Sequence, residues 1–375
     1  MRQIYIEGVS GTSPSFTTST GPELEAAAKR KLQPESFAYV AGSASSETTA
    51  SNNRKALDDW QIVPSMLGGV DVSEFNSQTT LFGEQFATPL IVSPIGVQSQ
   101  LNEEEADCAT ANAAKDLEVP FVLSSAGDRS MEDLMKQCEF EDPPSPQQQQ
   151  EEGRLRGAEA WYQLYWPSDD RLTESIVKRA KKAGYRVLVV TLDTWILGWR
   201  PRDLNTAYNP FLNGKGLAQI LSDPYFISQY CEGKDPRGGN MDRDDFLGIC
   251  ATAVSLLNPG ISRSWEELSI LRDLWGDGPI VLKGIQSPAD AARALSSPAA
   301  IDGIIVSNHG GRQVDGAVGS LQALPTIAAM CRQKGKTCIF DSGIRTGADV
   351  FKALALGEWC FLREIQQACN RKHRY

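Results

Sequence analysis

The chain has 375 residues, enough for a single α/β barrel or for two modest domains. Its 37 Lys and Arg against 47 Asp and Glu leave a net charge of −10, with no basic block of the kind that binds duplex nucleic acid, so small-molecule chemistry is the expected role. Eight cysteines without a Cys-x-x-Cys pair read as thiols of a reducing, cytoplasmic compartment, and no run has the length of a signal peptide or a membrane span.

Residues 1–20, rich in Ser, Thr and Gly, are expected to form a flexible tail, with one domain over 21–375. Glu23 to Leu32 consists of strong helix formers. A repeating pattern of apolar strand, loop and amphipathic helix follows. Strands are predicted at Leu90 to Ser93, Phe121 to Ser124, Ala160 to Leu164, Val187 to Thr191, Ile280 to Lys283, Ile304 to Val306 and Thr337 to Phe340. Helical patterns lie between several of them, at Leu172 to Ala183, Pro288 to Leu295 and Ala323 to Lys334. Such alternation argues for parallel pairing. Polar residues at the strand ends, Ser124, Gln163, Thr191, Lys283, Ser307 and Asp341, form the ring expected on the active face of a (β/α)8 TIM barrel. An open doubly wound sheet is disfavoured, because no Gly-x-Gly-x-x-Gly follows the first strand. Two stretches break the pattern: a low-complexity loop over 141–157, with Gln147 to Gln150 in it, and a lid-like insertion over 199–265, rich in Asp, Asn, Gly and Pro.

The chemistry concentrates in few residues. His309 follows the Gly303 to Val306 run on a loop hinged by Gly310 and Gly311, and Arg312 stands three residues on. An imidazole is the natural base near neutral pH, and a guanidinium is a planar fork for a carboxylate. Asp341 to Gly347 follows a strand and opens the predicted helix Ala348 to Ala355, where backbone N–H groups and Arg345 favour a phosphate. A plain N-cap turn is the other reading of that segment. Lys283 ends an apolar strand, either to neutralise a developing anion or to snorkel outward. Asp193 either orients an imidazole or caps a turn. Tyr39 and Tyr165 taken alone are ordinary aromatics.

These residues resemble a known family. Ser307-Asn308-His309-Gly310-Gly311-Arg312-Gln313 and Asp341-Ser342-Gly343-Ile344-Arg345-Thr346-Gly347 carry the likeness. They are joined in order by Phe37 to Gly42, Ser93 to Val97, Leu123 to Ser125, Gln163 to Tyr165, Thr191 to Thr194 and Leu282 to Gly284. Together they span about residue 25 to 357 and resemble the FMN-dependent α-hydroxy acid oxidase/dehydrogenase family, which includes glycolate oxidase, lactate oxidase and lactate 2-monooxygenase. Tyr165-Trp166-Pro167 and Trp199 to Asp203 lean toward the last of these.

The resemblance implies oxidation of an L-2-hydroxy acid to the 2-oxo acid. Electrons pass from substrate C2 to flavin N5 and then to oxygen or another acceptor, with oxidative decarboxylation where the monooxygenase branch is followed. It implies that His309 is the base, with Asp193 paired to it. Arg312, Tyr39 and Arg200 hold the substrate carboxylate, and Tyr165 touches its hydroxyl. FMN rests on Pro94, Ile95 and Gly96, with Ser124, Gln163 and Thr191 along its polar edge. Lys283 lies at the reduced ring, and Asp341, Gly343 and Arg345 at the ribityl-phosphate end. No metal, nucleic acid or membrane partner is implied, and members of the family often form homo-oligomers. Gly96 beside the flavin and Ala126, where the glycolate branch is bulkier, point to a roomier substrate pocket. The C-terminal end departs from the family pattern: Glu358 to Ile365 replaces a strand with its Gly-Arg-Pro phosphate contact. Trp359 to Leu362 is the candidate for an irregular eighth strand, and Arg363 falls near the missing arginine. The alternative function is a truncated barrel that binds flavin or phosphate without turnover.

Overall fold

The computed structural model describes residues 2–12, 20–69, 71, 76–140, 155–239, 241–357 and 360–363. Eight parallel strands close into a barrel, in the order β10-β3-β4-β5-β6-β7-β8-β9. They are β3 (Leu90–Val92), β4 (Phe121–Leu123), β5 (Ala160–Tyr165), β6 (Leu188–Thr191), β7 (Ile280–Ile285), β8 (Gly303–Val306), β9 (Thr337–Phe340) and β10 (Cys360–Arg363). β1 (Thr79–Leu81) and β2 (Glu84–Phe86) form a separate antiparallel hairpin. The expected eighth strand exists as β10, which pairs with both β9 and β3. The sparsest pairing is between β3 and β4, joined through a single register pair, Val92 with Phe121.

Strands β4 to β9 are buried on both faces, which is why their sequences read as continuous apolar runs. Alternate residues sort into two cores. Ile91, Val122, Trp161, Val189, Val281, Ile305 and Ile339 fill the barrel interior. Their chain neighbours, such as Leu123, Leu188, Leu282, Ile304 and Phe340, face the helices. The hairpin closes the lower end: Leu81 and Phe86 join the interior cluster, and the Phe82 ring lies 5.7 Å from that of Trp161. Trp161 Nε1 donates to the buried Glu159 at 2.6 Å.

The same period of two builds the upper face. Two residues beyond each interior position stand Ser93, Ser124, Gln163, Thr191, Lys283, Ser307 and Asp341, all buried. A polar ring therefore floors the mouth of the barrel.

Several expectations change. The N-terminal segment contains a helix, Arg2–Val9, where a tail was expected. The 199–265 insertion contains helices at Pro201–Asn205, Ala218–Leu221, Pro224–Tyr230 and Arg243–Leu257. Asp223 starts one of them, accepting from Tyr225 N at 2.9 Å ahead of Pro224, an N-cap signal present in the sequence. Asp223 also pairs with Arg179 at 2.9 Å, fastening the insertion to the helix Asp170–Ala183. The glutamine run 147–150 and most of its loop lie outside the described residues.

Candidate active site

His309 leaves β8 with φ of 58°, a left-handed conformation that non-glycine residues adopt at some cost and that recurs at functional sites. Its backbone N–H donates to Ser307 Oγ at 3.1 Å. The ring sits between two partners. Nδ1 lies 2.8 Å from Asp193 Oδ1, and Nε2 lies 3.4 Å from the Tyr165 hydroxyl. Thr194 Oγ1 closes a triangle, 2.7 Å from Asp193 Oδ1 and 3.1 Å from His309 Nδ1. An ionised carboxylate only accepts, so Nδ1 carries the proton and the Nε2 lone pair faces the cavity.

Burial in the barrel mouth holds the imidazole below its ordinary pKa, against the pull of Asp193, and the nearby Lys283 ammonium adds to the lowering. Burial alone would raise Asp193, but His309 and Lys283 bring it down to about 2. Room for this carboxylate comes from β7. The register shifts between Lys283 and Ile285, and Gly284 at the shift has φ of 102°. A Cβ on Gly284 would lie 2.8 Å from Asp193 Oδ2.

Lys283 is 5% exposed and does not snorkel. Its Nζ lies 3.2 Å from Asp341 Oδ2 and donates to Ser307 Oγ at 3.0 Å. Burial would lower its pKa, yet Asp341 and Asp193 raise it above the ordinary lysine value, so it remains a fixed cation.

Two guanidiniums meet on the other side. Arg312 donates from Nη1 to the Tyr39 carbonyl at 2.8 Å and to the Gly42 carbonyl, and lies over the Tyr39 ring at 5.2 Å. Arg200 is buried; its Nε donates to the Arg312 carbonyl at 3.1 Å. Burial and the charge of Arg312 lower the Arg200 pKa to about 10. No ion pair joins either guanidinium to a carboxylate among the described residues, so the pair is an electrostatic invitation to an anion.

One cavity of about 360 Å³ brings these groups together. Tyr39, Tyr165, Arg200, His309 and Arg312 line it, as do Pro94, Ile95, Gly96, Thr191, Lys283, Asp341 and Arg345. Asp193 stands behind His309, off the wall. Ser124 and Gln163 also lie off the wall: Ser124 Oγ donates to Gln163 Oε1 at 3.1 Å, and Gln163 Nε2 donates to Thr191 Oγ1 at 2.9 Å, so they support the floor through Thr191. Gly343 is not on the wall; its backbone packs against Asn53, and its carbonyl accepts from Arg54. The small size of Gly96 answers to Ala126, since a Cβ there would lie 2.8 Å from the Ala126 methyl. The helix after β9 runs Gly347–Ala355, and its N-cap is Thr346, which accepts from Asp349 N at 3.2 Å. The backbone of Arg363 lies in β10. Thr194 and Ser93 were not singled out from sequence as site residues; their place beside Asp193 and before Pro94 was the available signal. Ser93 Oγ is buried without a hydrogen-bond partner among the described residues.

Comparison with known proteins identifies the family and the fold. Residues 28–362 match the family model described as FMN-dependent dehydrogenase. The FMN-dependent alpha-hydroxy acid dehydrogenase qulF of Penicillium citrinum is 40% identical over 355 residues, covering 95% of this chain and 81% of that protein. The L-lactate oxidase of Lysinibacillus sphaericus is 35% identical over 337 residues, covering 89% and 78%. Among solved structures, a mandelate oxidase superposes with a TM-score of 0.73 at 28% identity, covering 95% of this chain and 90% of the other.

Proposed function

This chain belongs to the FMN-dependent dehydrogenase family, and from that premise we propose that its barrel mouth binds FMN and oxidises an L-2-hydroxy acid to the 2-oxo acid. One observation carries the reading: an imidazole held by a carboxylate on Nδ1 turns Nε2 into a cavity that also contains two guanidiniums with no carboxylate ion pair among the described residues.

The residues fit the cofactor. Ser93 Oγ is buried and unpartnered among the described residues, next to the Pro94-Ile95-Gly96 stretch of the wall, and Lys283 is a buried cation on the same wall. Those residues, with Thr191, Asp341 and Arg345, would hold FMN, Arg345 facing its phosphate. When bound, FMN supplies the two-electron acceptor that later passes electrons to oxygen or another acceptor. Arg312, Arg200 and Tyr39 take the substrate carboxylate, and Tyr165 meets the hydroxyl. His309 Nε2 removes a proton while Asp193 stabilises the imidazolium that forms. Fixing the carboxylate sets the reacting carbon in place, so orientation supplies much of the acceleration. Leu32, Phe37, Ala126, Phe211 and Leu217 line the remaining wall and give room for a side chain larger than that of glycolate.

Purified protein is expected to be yellow and to bleach anaerobically with lactate, 2-hydroxyisocaproate or mandelate. Bleaching by glycolate alone would remove the roomier pocket. Yellow protein that no 2-hydroxy acid bleaches would instead favour a flavin-binding barrel without turnover. Assaying peroxide and the decarboxylated acid together identifies the fate of the electrons. No helix among the described residues is long and apolar enough to cross a membrane. The cysteines Cys108, Cys138, Cys231, Cys250, Cys331 and Cys338 are free and buried, which supports a reducing, cytoplasmic setting.

A further inference from the structure

Gln313 is not on the cavity wall, yet its side chain touches both halves of the site. Nε2 donates to the Asp193 carbonyl at 2.9 Å and to the Ile196 carbonyl at 2.7 Å. Oε1 accepts from Gly198 N at 3.2 Å and from Arg200 Nη2 at 3.0 Å. The amide thus spends two donors and two acceptor sites on one segment, residues 193–200. That segment has no regular secondary structure of its own; it begins at the carboxylate partner of His309 and ends at the buried guanidinium. Contacts from Ser45, Asn258 and Gly260 reach the middle of the segment; beyond Gln313, His309 also holds the Asp193 carboxylate, and Asp203 N and Leu204 N donate to the Arg200 carbonyl. Gln313 in turn follows Arg312 directly, and the Arg312 carbonyl accepts from Arg200 Nε.

We propose that Gln313 is a positioning residue: its amide fixes the carboxylate-binding Arg200 at a set distance from the Asp193–His309 pair. The proposal rests on the reaction assigned above. Proton removal and carboxylate capture must occur on one molecule in one pose, and misplacing either group by about 1 Å costs on the order of a hundredfold in rate. A primary amide suits the position because carbonyl oxygens lie on one side of it, and N–H donors on the other.

Two variants of the full-length, flavin-loaded protein test this. Gln313→Glu keeps the size and the acceptors for Gly198 and Arg200 but sets a carboxylate oxygen against the carbonyls of Asp193 and Ile196. Its KM, and the affinity for a 2-oxo acid titrated by flavin absorbance, are expected to stay within about threefold, while kcat falls about tenfold or more. The acid limb of its pH profile is expected to move upward, because the added anion favours protonated His309. Gln313→Leu loses both arms, so oxo-acid affinity and kcat are each expected to fall about tenfold. Unchanged oxo-acid affinity in Gln313→Leu overturns the proposal. So does a parallel drop in kcat, affinity and thermal midpoint in both variants, which marks mere destabilisation. The titration needs no turnover, so wild-type protein that binds oxo acid but never bleaches counts against the assigned reaction instead.

Discussion

At the scale of single residues, His309 is subject to opposed influences, and their balance sets its protonation. Burial and Lys283 favour the neutral ring, whereas Asp193 favours the charged one. The net result lies below the ordinary histidine value of 6.5, so the ring stays neutral into mildly acidic solution, as the proposed base must. The acid limb of kcat/KM is therefore expected to have its midpoint below that value. Asp193→Asn removes the one strong influence that raises the pKa, so the limb is expected to move lower still. Its kcat is expected to fall about a hundredfold or more, since an amide also permits the wrong tautomer. A pH–rate profile of the two proteins checks both statements, and an upward shift in the variant would contradict the pairing. His309 and Lys283 stood out in the sequence because a polar residue at the end of an apolar strand is conspicuous, and Arg312 because it stands three residues beyond His309 on the same glycine-hinged loop. The state of Lys283 was not legible, because burial beside Asp341 depends on where another strand lies.

At the scale of elements, β7 shows how backbone geometry serves a side chain on its neighbour. The strand was evident from Ile280 to Lys283, but it continues to Ile285 through a register shift centred on Gly284. Nothing local predicts that shift; it makes space for Asp193, which follows β6. Gly284→Ala would place a methyl against Asp193 Oδ2 on a backbone with φ of 102°. The expected outcome is retained flavin, kcat lower by about tenfold or more, and a loss of roughly 1–3 kcal/mol in stability. Flavin content, turnover and a denaturation midpoint together check it; full activity would show that Asp193 has slack. The helices of the 199–265 insertion were missed for another reason. Their loop-like composition hid capped starts at Asn209-Pro210 and Asp223-Pro224, and contacts such as Arg179 with Asp223 hold them in place.

Across the whole molecule, the interior core and the polar ring are consecutive layers of one alternation. Trp161 is the largest side chain of the interior layer, fully buried two residues below Gln163 on β5. Trp161→Ala is expected to cost about 3–5 kcal/mol, because the closed strands cannot collapse into the space. Chemical denaturation measures this, and a loss below about 1 kcal/mol would mean that the hairpin plug refills the barrel.

Alternating apolar runs and helices in the sequence determined a parallel barrel, and polar strand ends determined which face carries chemistry. These are local consequences of a two-residue period and of solvent exclusion on both strand faces. Only the tertiary structure decided which groups meet. It brought Asp193 to His309, Arg200 to Arg312 and Lys283 to Asp341, set Ser124 and Gln163 beneath the cavity floor, and turned Gly343 toward Asn53. The pairing of Asp193 with His309 alone joins residues 116 positions apart, and such distances follow from strand register and barrel closure, which no local pattern encodes.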